Sequence, residues 1–283
     1  MASKIIIFDL ETSGFRRDDD ILQISALYPR TNWIFNNYIT PSKPVSPQAS
    51  RVNGLEAFGN NLFLHGDRVN TVSASRAVKS FIYFLGRFNG PVILLAHNCF
   101  SFDCPRLIRL VSEVGMLDRF KAVVQGFADS LLIFKEKLPC MVQERRRFSI
   151  KALAAIFLDN FDYGSLHNAV NDVKTLSELI NAIGVDKNTI IRNSRNISNI
   201  LKEMKRREII KDNRCSLSEY EGTTSNYILM KMAKNGINKE ILLDTFDEEG
   251  EDGIMRLFTE YVNGKPRVTN SRRLVHRFLN YHF

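Results

Sequence analysis

The spacing of apolar positions changes character along the chain, and the change predicts its architecture. Lys4 to Leu10 is a nearly continuous apolar run, the pattern of a strand buried on both faces. Ile21 to Tyr28 and Trp33 to Thr40, joined by the turn Pro29-Arg-Thr-Asn32, read as a hairpin beside it. Pro41, Pro44 and Pro47 end that pairing, because proline has no N–H to give to a ladder. From Ser73 to Phe88 the period becomes helical, with Ala77, Phe81, Phe84, Leu85 and Phe88 on one face and a serine near the start as cap. Pro91 to Ala96 predicts a short buried strand, Pro105 to Met116 a helix with proline in its first turn, and Val123 to Ala128 a further strand. Ser149 to Leu158 and Ala169 to Ile183 follow as helices, the second stopped by Gly184. A hairpin-led sheet followed by alternating strands and helices is an α/β fold.

After Gly184 no clear strand run follows. Helical patterns over Thr189–Lys211, Ser225–Asn235, Lys239–Phe246, Gly253–Val262 and Asn270–Tyr281 are split by glycine and asparagine. The expected division is therefore an α/β domain over residues 1–184 and a small all-α region over 185–283. Length and composition agree: 283 residues, 44% hydrophobic and 25% charged, suffice for a sizeable core and argue against disorder. The net charge of +8 makes a polyanionic partner more plausible, and it is spread evenly, 21 basic and 17 acidic side chains before residue 185 and 18 and 14 after it. Four cysteines without a C-x-x-C pair or accompanying histidines predict neither structural zinc nor a disulfide framework. With no apolar stretch of membrane-spanning length and no secretory leader, the expectation is a soluble intracellular protein with no membrane partner. Lys205-Arg-Arg207 reads as a solvated helix face rather than a nuclear address, so neither nucleus nor cytoplasm is singled out.

Three segments could carry chemistry. In Phe8-Asp-Leu-Glu-Thr12, Asp9 and Glu11 end the first strand two residues apart, so both carboxylates face the same side on a rigid support. Such an oxygen-only pair suits a hard divalent cation, although a D-x-E also arises by chance, as at Asp247 and Glu249. In Leu95-Ala-His-Asn-Cys-Phe-Ser-Phe-Asp103 a buried strand breaks into polar residues, and Asp103 reads equally as a metal ligand or as the N-cap of the next helix. His97 and Asn98 read equally as turn formers. In His167-Asn-Ala-Val-Asn-Asp172 five helical steps would separate the histidine from the aspartate by about 140°. His167 is therefore placed in the approach loop, Asn168 at the cap and Asp172 in the first turns, where the imidazole is either a general base or an ordinary loop histidine.

Taken in order, Asp-x-Glu-Thr, Ala-His-Asn with a following Asp, and His-x-Ala-x-x-Asp resemble the DEDDh 3′-to-5′ exonucleases, the DnaQ-like branch of the ribonuclease H-like superfamily, over about residues 4–183. Phe127-Ala-Asp-Ser-Leu-Leu-Ile-Phe134, Phe148-Ser-Ile-Lys-Ala-Leu153 and the His167 segment look closest to the PML-like, exon-nine group. The resemblance implies a ribonuclease H-like mixed sheet, antiparallel hairpin then parallel strands, flanked by helices. It implies that Asp9, Glu11, Asp103 and Asp172 hold two Mg²⁺ ions, with Mn²⁺ able to substitute, and that His167 deprotonates the attacking water. Thr12 and the loop Val52-Asn-Gly-Leu55, that is Asn53, Gly54 and Leu55, match positions that receive the 3′-terminal nucleotide. Here Asn53 stands where the family often has histidine. The implied activity is metal-dependent release of nucleoside monophosphates from the 3′ end of single-stranded nucleic acid, DNA favoured. The alternatives are a 3′-to-5′ exoribonuclease and a catalytically silent nucleic-acid- or protein-binding module on the same fold. Retention of all four acids and the histidine speaks against the silent module. Among lesser candidates, Asp18-Asp-Asp20 reads as a solvated turn and Asp129 as a helix cap. Arg145-Arg-Arg147 with Lys151 could grip phosphates, and Gly264 to Arg273 forms a basic approach to the last helix where phosphate or a partner could dock.

Overall fold

The computed structural model describes residues 3–159 and 167–283, and the chain divides into two compact units after Asn199. In the first unit β1 (Lys4–Thr12), β2 (Ile21–Tyr28) and β3 (Trp33–Ile39) form the expected antiparallel meander. Pro47 does not merely end the pairing. It opens a short helix, α1 (Pro47–Asn53), because a missing N–H costs nothing in a first turn and Ser46 caps the Ala49 N–H. Residues 52–55, expected as a loop, instead lead from α1 into a separate three-stranded sheet, β4 (Leu55–Phe58), β5 (Asn61–Leu64) and β6 (Asp67–Val69). Its two-residue turns, Gly59-Asn60 and His65-Gly66, place Gly59, His65 and Gly66 at positive φ, the geometry that matches strand twist.

β7 (Thr71–Val72) joins β3, and α2 (Ala74–Gly86) follows with Ser73 as its cap and Ala77, Phe81, Phe84 and Leu85 buried, as its period predicts. β8 (Val92–Ala96) runs parallel to β1. Then come α3 (Asp103–Glu113), an unexpected short helix α4 (Leu117–Val123), and β9 (Val124–Asp129), parallel to β8. α5 (Ser130–Lys137), α6 (Pro139–Gln143), α7 (Ile150–Phe157) and α8 (Ala169–Ala182) complete the alternation. After α9 (Lys187–Arg192), β10 (Arg195–Asn196) adds an antiparallel edge, giving a sheet of order β10-β9-β8-β1-β2-β3-β7 among the described residues. α7 and α8 pack on one face through Ile7, Leu95, Leu153, Val173, Leu176 and Leu179.

Residues 185–199 belong with this unit and not, as expected from sequence, with the helical region. Val185 and Ile190 enter the same apolar cluster and β10 pairs with β9. The second unit begins within α10 (Ile197–Ser216) and contains α11 (Asn226–Lys234), α12 (Lys239–Thr259) with a break at Gly250, the two-residue hairpin β11 (Tyr261–Val262) and β12 (Lys265–Pro266), and α13 (Arg272–His282). Its own core is Leu217, Tyr220, Leu229, Met232, Ile254, Phe258 and Phe278. Arg267, in the basic stretch expected to meet phosphate or a partner, is turned inward to Glu260 and to the Asn235 carbonyl.

Candidate metal centre

β1 sits mid-sheet, and strand alternation sends Asp9 and Glu11 to the face that α8 covers. There they meet Asp172, from the first turn of α8: one oxygen of each carboxylate lies within 4.8 Å of the others. The start of α8 is fixed against the hairpin by a buried polar network. Gln23, opposite Glu11 in the ladder, accepts from the Ala169 N–H (3.4 Å) and donates to Asn168 (3.5 Å) and Asn36 (2.9 Å). Asn168 caps the helix by accepting from the Val170 N–H and donates to the Tyr38 hydroxyl at 3.3 Å. Gln23 and Ser25, 1% and 0% exposed in an otherwise apolar strand, are the signal in the sequence that something polar docks there.

Asp103 lies beside this trio rather than within its 4.8 Å. The N-cap reading of Asp103 fails: the cap of α3 is Phe102, which makes no side-chain cap bond, and Asp103 is the first helical residue. The residue is 2% exposed, and its buried Oδ1 has no hydrogen-bond partner among the described residues. A buried carboxylate oxygen without a donor costs free energy unless something else satisfies it.

The electrostatics tie the four acids together. Burial, then the charges of Asp103, Asp172 and Glu11, raises the Asp9 carboxyl well above its ordinary value. Burial and Asp172 push Glu11 up to about 8, against the pull of the Asn53 amide. Burial pushes Asp103 up to about 8 and Asp172 to about 6, the latter opposed by the His167 N–H, which donates to Asp172 Oδ1 at 3.4 Å. Acids so arranged without a cation are held ionised only at a cost, and the all-oxygen donor set is the one hard divalent cations take.

His167 enters α8 at φ 68°, in the loop where its spacing from Asp172 predicts it, and lines the same cleft of about 170 Å³ as Asp9, Glu11 and Asp172. Burial and the charge of Lys151 lower its pKa, so the imidazole is neutral and able to accept a proton near neutral pH. Thr12 and Asn53 line the cleft too, but their polar groups are engaged: Thr12 donates to the Gly14 carbonyl (2.7 Å), and Asn53 donates to the Thr12 carbonyl (3.2 Å) and accepts from the Leu55 N–H (3.0 Å). Gly54 ends α1 at φ 67°, where a β-carbon would strike the His65 ring. Leu55 is 0% exposed and packs with Leu22 and Leu62, away from the cleft. Asp129 caps α5 through the Leu131 N–H (3.0 Å) and accepts from the Phe100 N–H (3.1 Å), as a helix cap should. His97 Nδ1 pairs with the Ser130 hydroxyl at 2.9 Å. Phe15, which no motif marked, forms further wall together with Val52 and Phe102.

The sequence model of the Exuperantia RNAse H-like domain matches residues 3–157, more than half of the chain. The chain belongs to that family. Two maternal proteins exuperantia align with this Exuperantia-type domain. That of Drosophila virilis is 24% identical over 164 residues (54% of this chain, 32% of that protein), and that of Drosophila melanogaster is 25% identical over 143 residues (46% and 26%). The matched part of the chain thus spans a third or less of these curated relatives. Among solved structures, exonuclease I superposes at a TM-score of 0.52, with 13% identity over 81% of this chain and 50% of that one. The zinc-bound E. coli ExoI–ssDNA complex gives 0.50, with 12% identity over 82% and 50%. The likeness establishes the ribonuclease H-like fold of the Exuperantia-type domain, a seven-stranded mixed sheet flanked by helices. No helix among the described residues is long and apolar enough to cross a membrane.

Proposed function

We propose that the chain is a divalent-metal-dependent 3′-to-5′ exonuclease acting on single-stranded nucleic acid, with DNA favoured. The observation that carries the reading is the meeting of Asp9, Glu11 and Asp172 in one cleft with His167, beside a buried Asp103 oxygen that lacks a donor. These four carboxylates would hold two Mg²⁺ or Mn²⁺ ions, whose chemistry when bound is to neutralise charge on the attacking and leaving oxygens of a phosphodiester. His167 is the base in this reading: a neutral imidazole in the cleft wall takes the proton of the attacking water. Asp9 and Glu11 are carried by β1, and the start of α8, which carries Asp172, is fixed by the Gln23–Asn168 network, so these three carboxylates stand on rigid supports before a nucleotide enters. The exposed edge of the Thr12–Asn53 wall would receive the terminal nucleotide, through backbone and shape because the Asn53 amide is already bonded. The nearest branch in this reading is the PML-like group, on the strength of the Phe127–Phe134 and Phe148–Leu153 segments.

The test is digestion of 3′-labelled single-stranded DNA and RNA by the wild type and by Asp9→Ala, with Mg²⁺, with Mn²⁺ and with a chelator. The expected result is mononucleotide release from DNA by the wild type alone, dependent on the cation. Faster loss of RNA would make the protein an exoribonuclease. Stable binding of oligonucleotide without cleavage of either polymer would make it a silent module. Equal activity in Asp9→Ala would place the chemistry elsewhere.

A further inference from the structure

Arg106 is the largest of the fully buried side chains among the described residues, and its charge opposes the rise that burial imposes on the neighbouring Asp103 carboxyl. Its guanidinium forms no ion pair with a carboxylate among the described residues. Two of its three nitrogens are spent on backbone, while Nε has no hydrogen-bond partner among the described residues: Nη1 donates to the Phe102 carbonyl (2.9 Å), and Nη2 donates to the carbonyls of Phe15 (2.6 Å) and Arg16 (2.9 Å). The guanidinium plane rests on the Phe102 ring, 3.8 Å from its centroid. One turn further along α3, Arg109 donates to the Asp19 carbonyl at 2.5 Å. Both arginines thus reach some 90 residues back along the chain to the loop between β1 and β2.

That loop, residues 13–20, is closed on itself by Ser13 N–H to the Asp20 carbonyl (2.9 Å) and by Arg16 N–H to Asp19 Oδ2 (2.7 Å). A β-carbon at Gly14 would lie 2.3 Å from Asp19 Oδ2, so any larger residue there would displace the carboxylate that accepts from the Arg16 N–H. The loop presents Phe15, 59% exposed, on the cleft, and Phe102 lies on the cleft as well. A planar fork reaches the three carbonyls from two nitrogens fixed in one plane, whereas a lysine would have to reach them from a single ammonium on a flexible stem.

We propose that Arg106 is a positioning residue: its guanidinium straps the 13–20 loop to the start of α3, setting the distance between the Phe15 rim and the carboxylate side of the cleft and hence the seating of a strand's 3′-terminal nucleotide. The inference rests on the exonuclease reading for its substrate, but its test separates the two. Arg106→Lys keeps the charge beside Asp103 and removes the fork; Arg106→Met removes both. Each is first compared with the wild type for Mn²⁺ affinity, which Arg106→Lys leaves unchanged. Hydrogen exchange then reads the loop directly, and binding of a single-stranded oligonucleotide in Ca²⁺ reads the seating without requiring turnover. The expected result for Arg106→Lys is faster exchange in residues 13–20 and about tenfold weaker oligonucleotide binding, the order of one lost base–aromatic contact at Phe15, with KM raised more than kcat is lowered where turnover is measurable. Phe15→Ala should reproduce the binding loss with Mn²⁺ affinity intact, and combining it with Arg106→Lys should add little further. Unchanged exchange in the loop, or wild-type oligonucleotide affinity in Arg106→Lys, would overturn the proposal. A wild type that binds but does not cleave would overturn the exonuclease reading and leave this test standing.

Discussion

Glu11→Gln is expected to make the metal-free protein more stable at neutral pH while removing its use for a cation. Glu11 is 9% exposed, and its carboxyl is raised from 4.5 to about 8, chiefly by burial and then by Asp172. Because the folded value lies above the unfolded one, between these two pH values the folded state keeps a proton that the unfolded chain has released. Stability therefore falls as pH rises from 4.5 towards 8, by up to about 1.4 kcal/mol per unit. Carried to pH 7, this single group costs ~3 kcal/mol. Asp103 and Asp172 titrate in the same direction within the same field, so their costs do not simply add. The assay is urea unfolding of chelated protein from pH 5 to 8, followed by the fluorescence of Trp33, the one tryptophan, which lies on β3 and so reports the first unit. The wild type should lose stability steeply across that range, Glu11→Gln should lose distinctly less, and saturating Mn²⁺ should flatten the wild-type curve because a bound cation favours the ionised acids. A chelated wild type whose stability is constant or rises from pH 5 to 8, or a Gln variant with the wild-type slope, would refute the reasoning.

Three further outcomes follow from the same geometry. His167→Gln should lower kcat by about 10²–10⁴ with Mn²⁺ affinity retained. Because burial and Lys151 hold the imidazole below 6.5 and only its neutral form accepts a proton, the wild-type rate should rise with pH along a limb below 6.5 that the variant lacks, which a kcat–pH profile checks. Asp129→Ala should cost roughly 1–2 kcal/mol in urea unfolding through the lost α5 cap, yet leave Mn²⁺ stoichiometry unchanged, since both of its oxygens already serve backbone N–H groups. Leu55→Ala should cost about 2–5 kcal/mol of stability with little change in oligonucleotide affinity. A loss of affinity without a loss of stability would restore the nucleotide contact that its place in the sequence suggested.

The long periodic elements and the motif acids were legible in the chain because their signals are local. A central strand buried on both faces reads as one apolar run, and the 140° separation of His167 from Asp172 forces the histidine out of the helix, where it is found. What the sequence hid is short or mutual. The β4–β6 sheet has strands of three or four residues, below the length at which alternation is distinctive; its turns, Gly59-Asn60 and His65-Gly66, were the usable signal. α1 was masked by its own proline, which marks the first turn of a helix as readily as the end of a strand. The edge at 185–199 looked helical because α9 and the start of α10 are; two residues of β10 and the burial of Val185 decide where it belongs. Asp103 could not be assigned from its neighbours, since a cap and a ligand want the same residue at the same helix end, and only the missing cap bond separates them. Arg106 was invisible because its acceptors are carbonyls some 90 residues away.

The most direct measurement is anomalous diffraction from crystals of the full chain soaked in Mn²⁺ with a nucleoside monophosphate. The account predicts metal peaks in the cleft lined by Asp9, Glu11 and Asp172, beside Asp103, with the phosphate in the same cleft as His167. Peaks absent from that cleft at saturating Mn²⁺, or bound without Asp9 and Glu11, would contradict it.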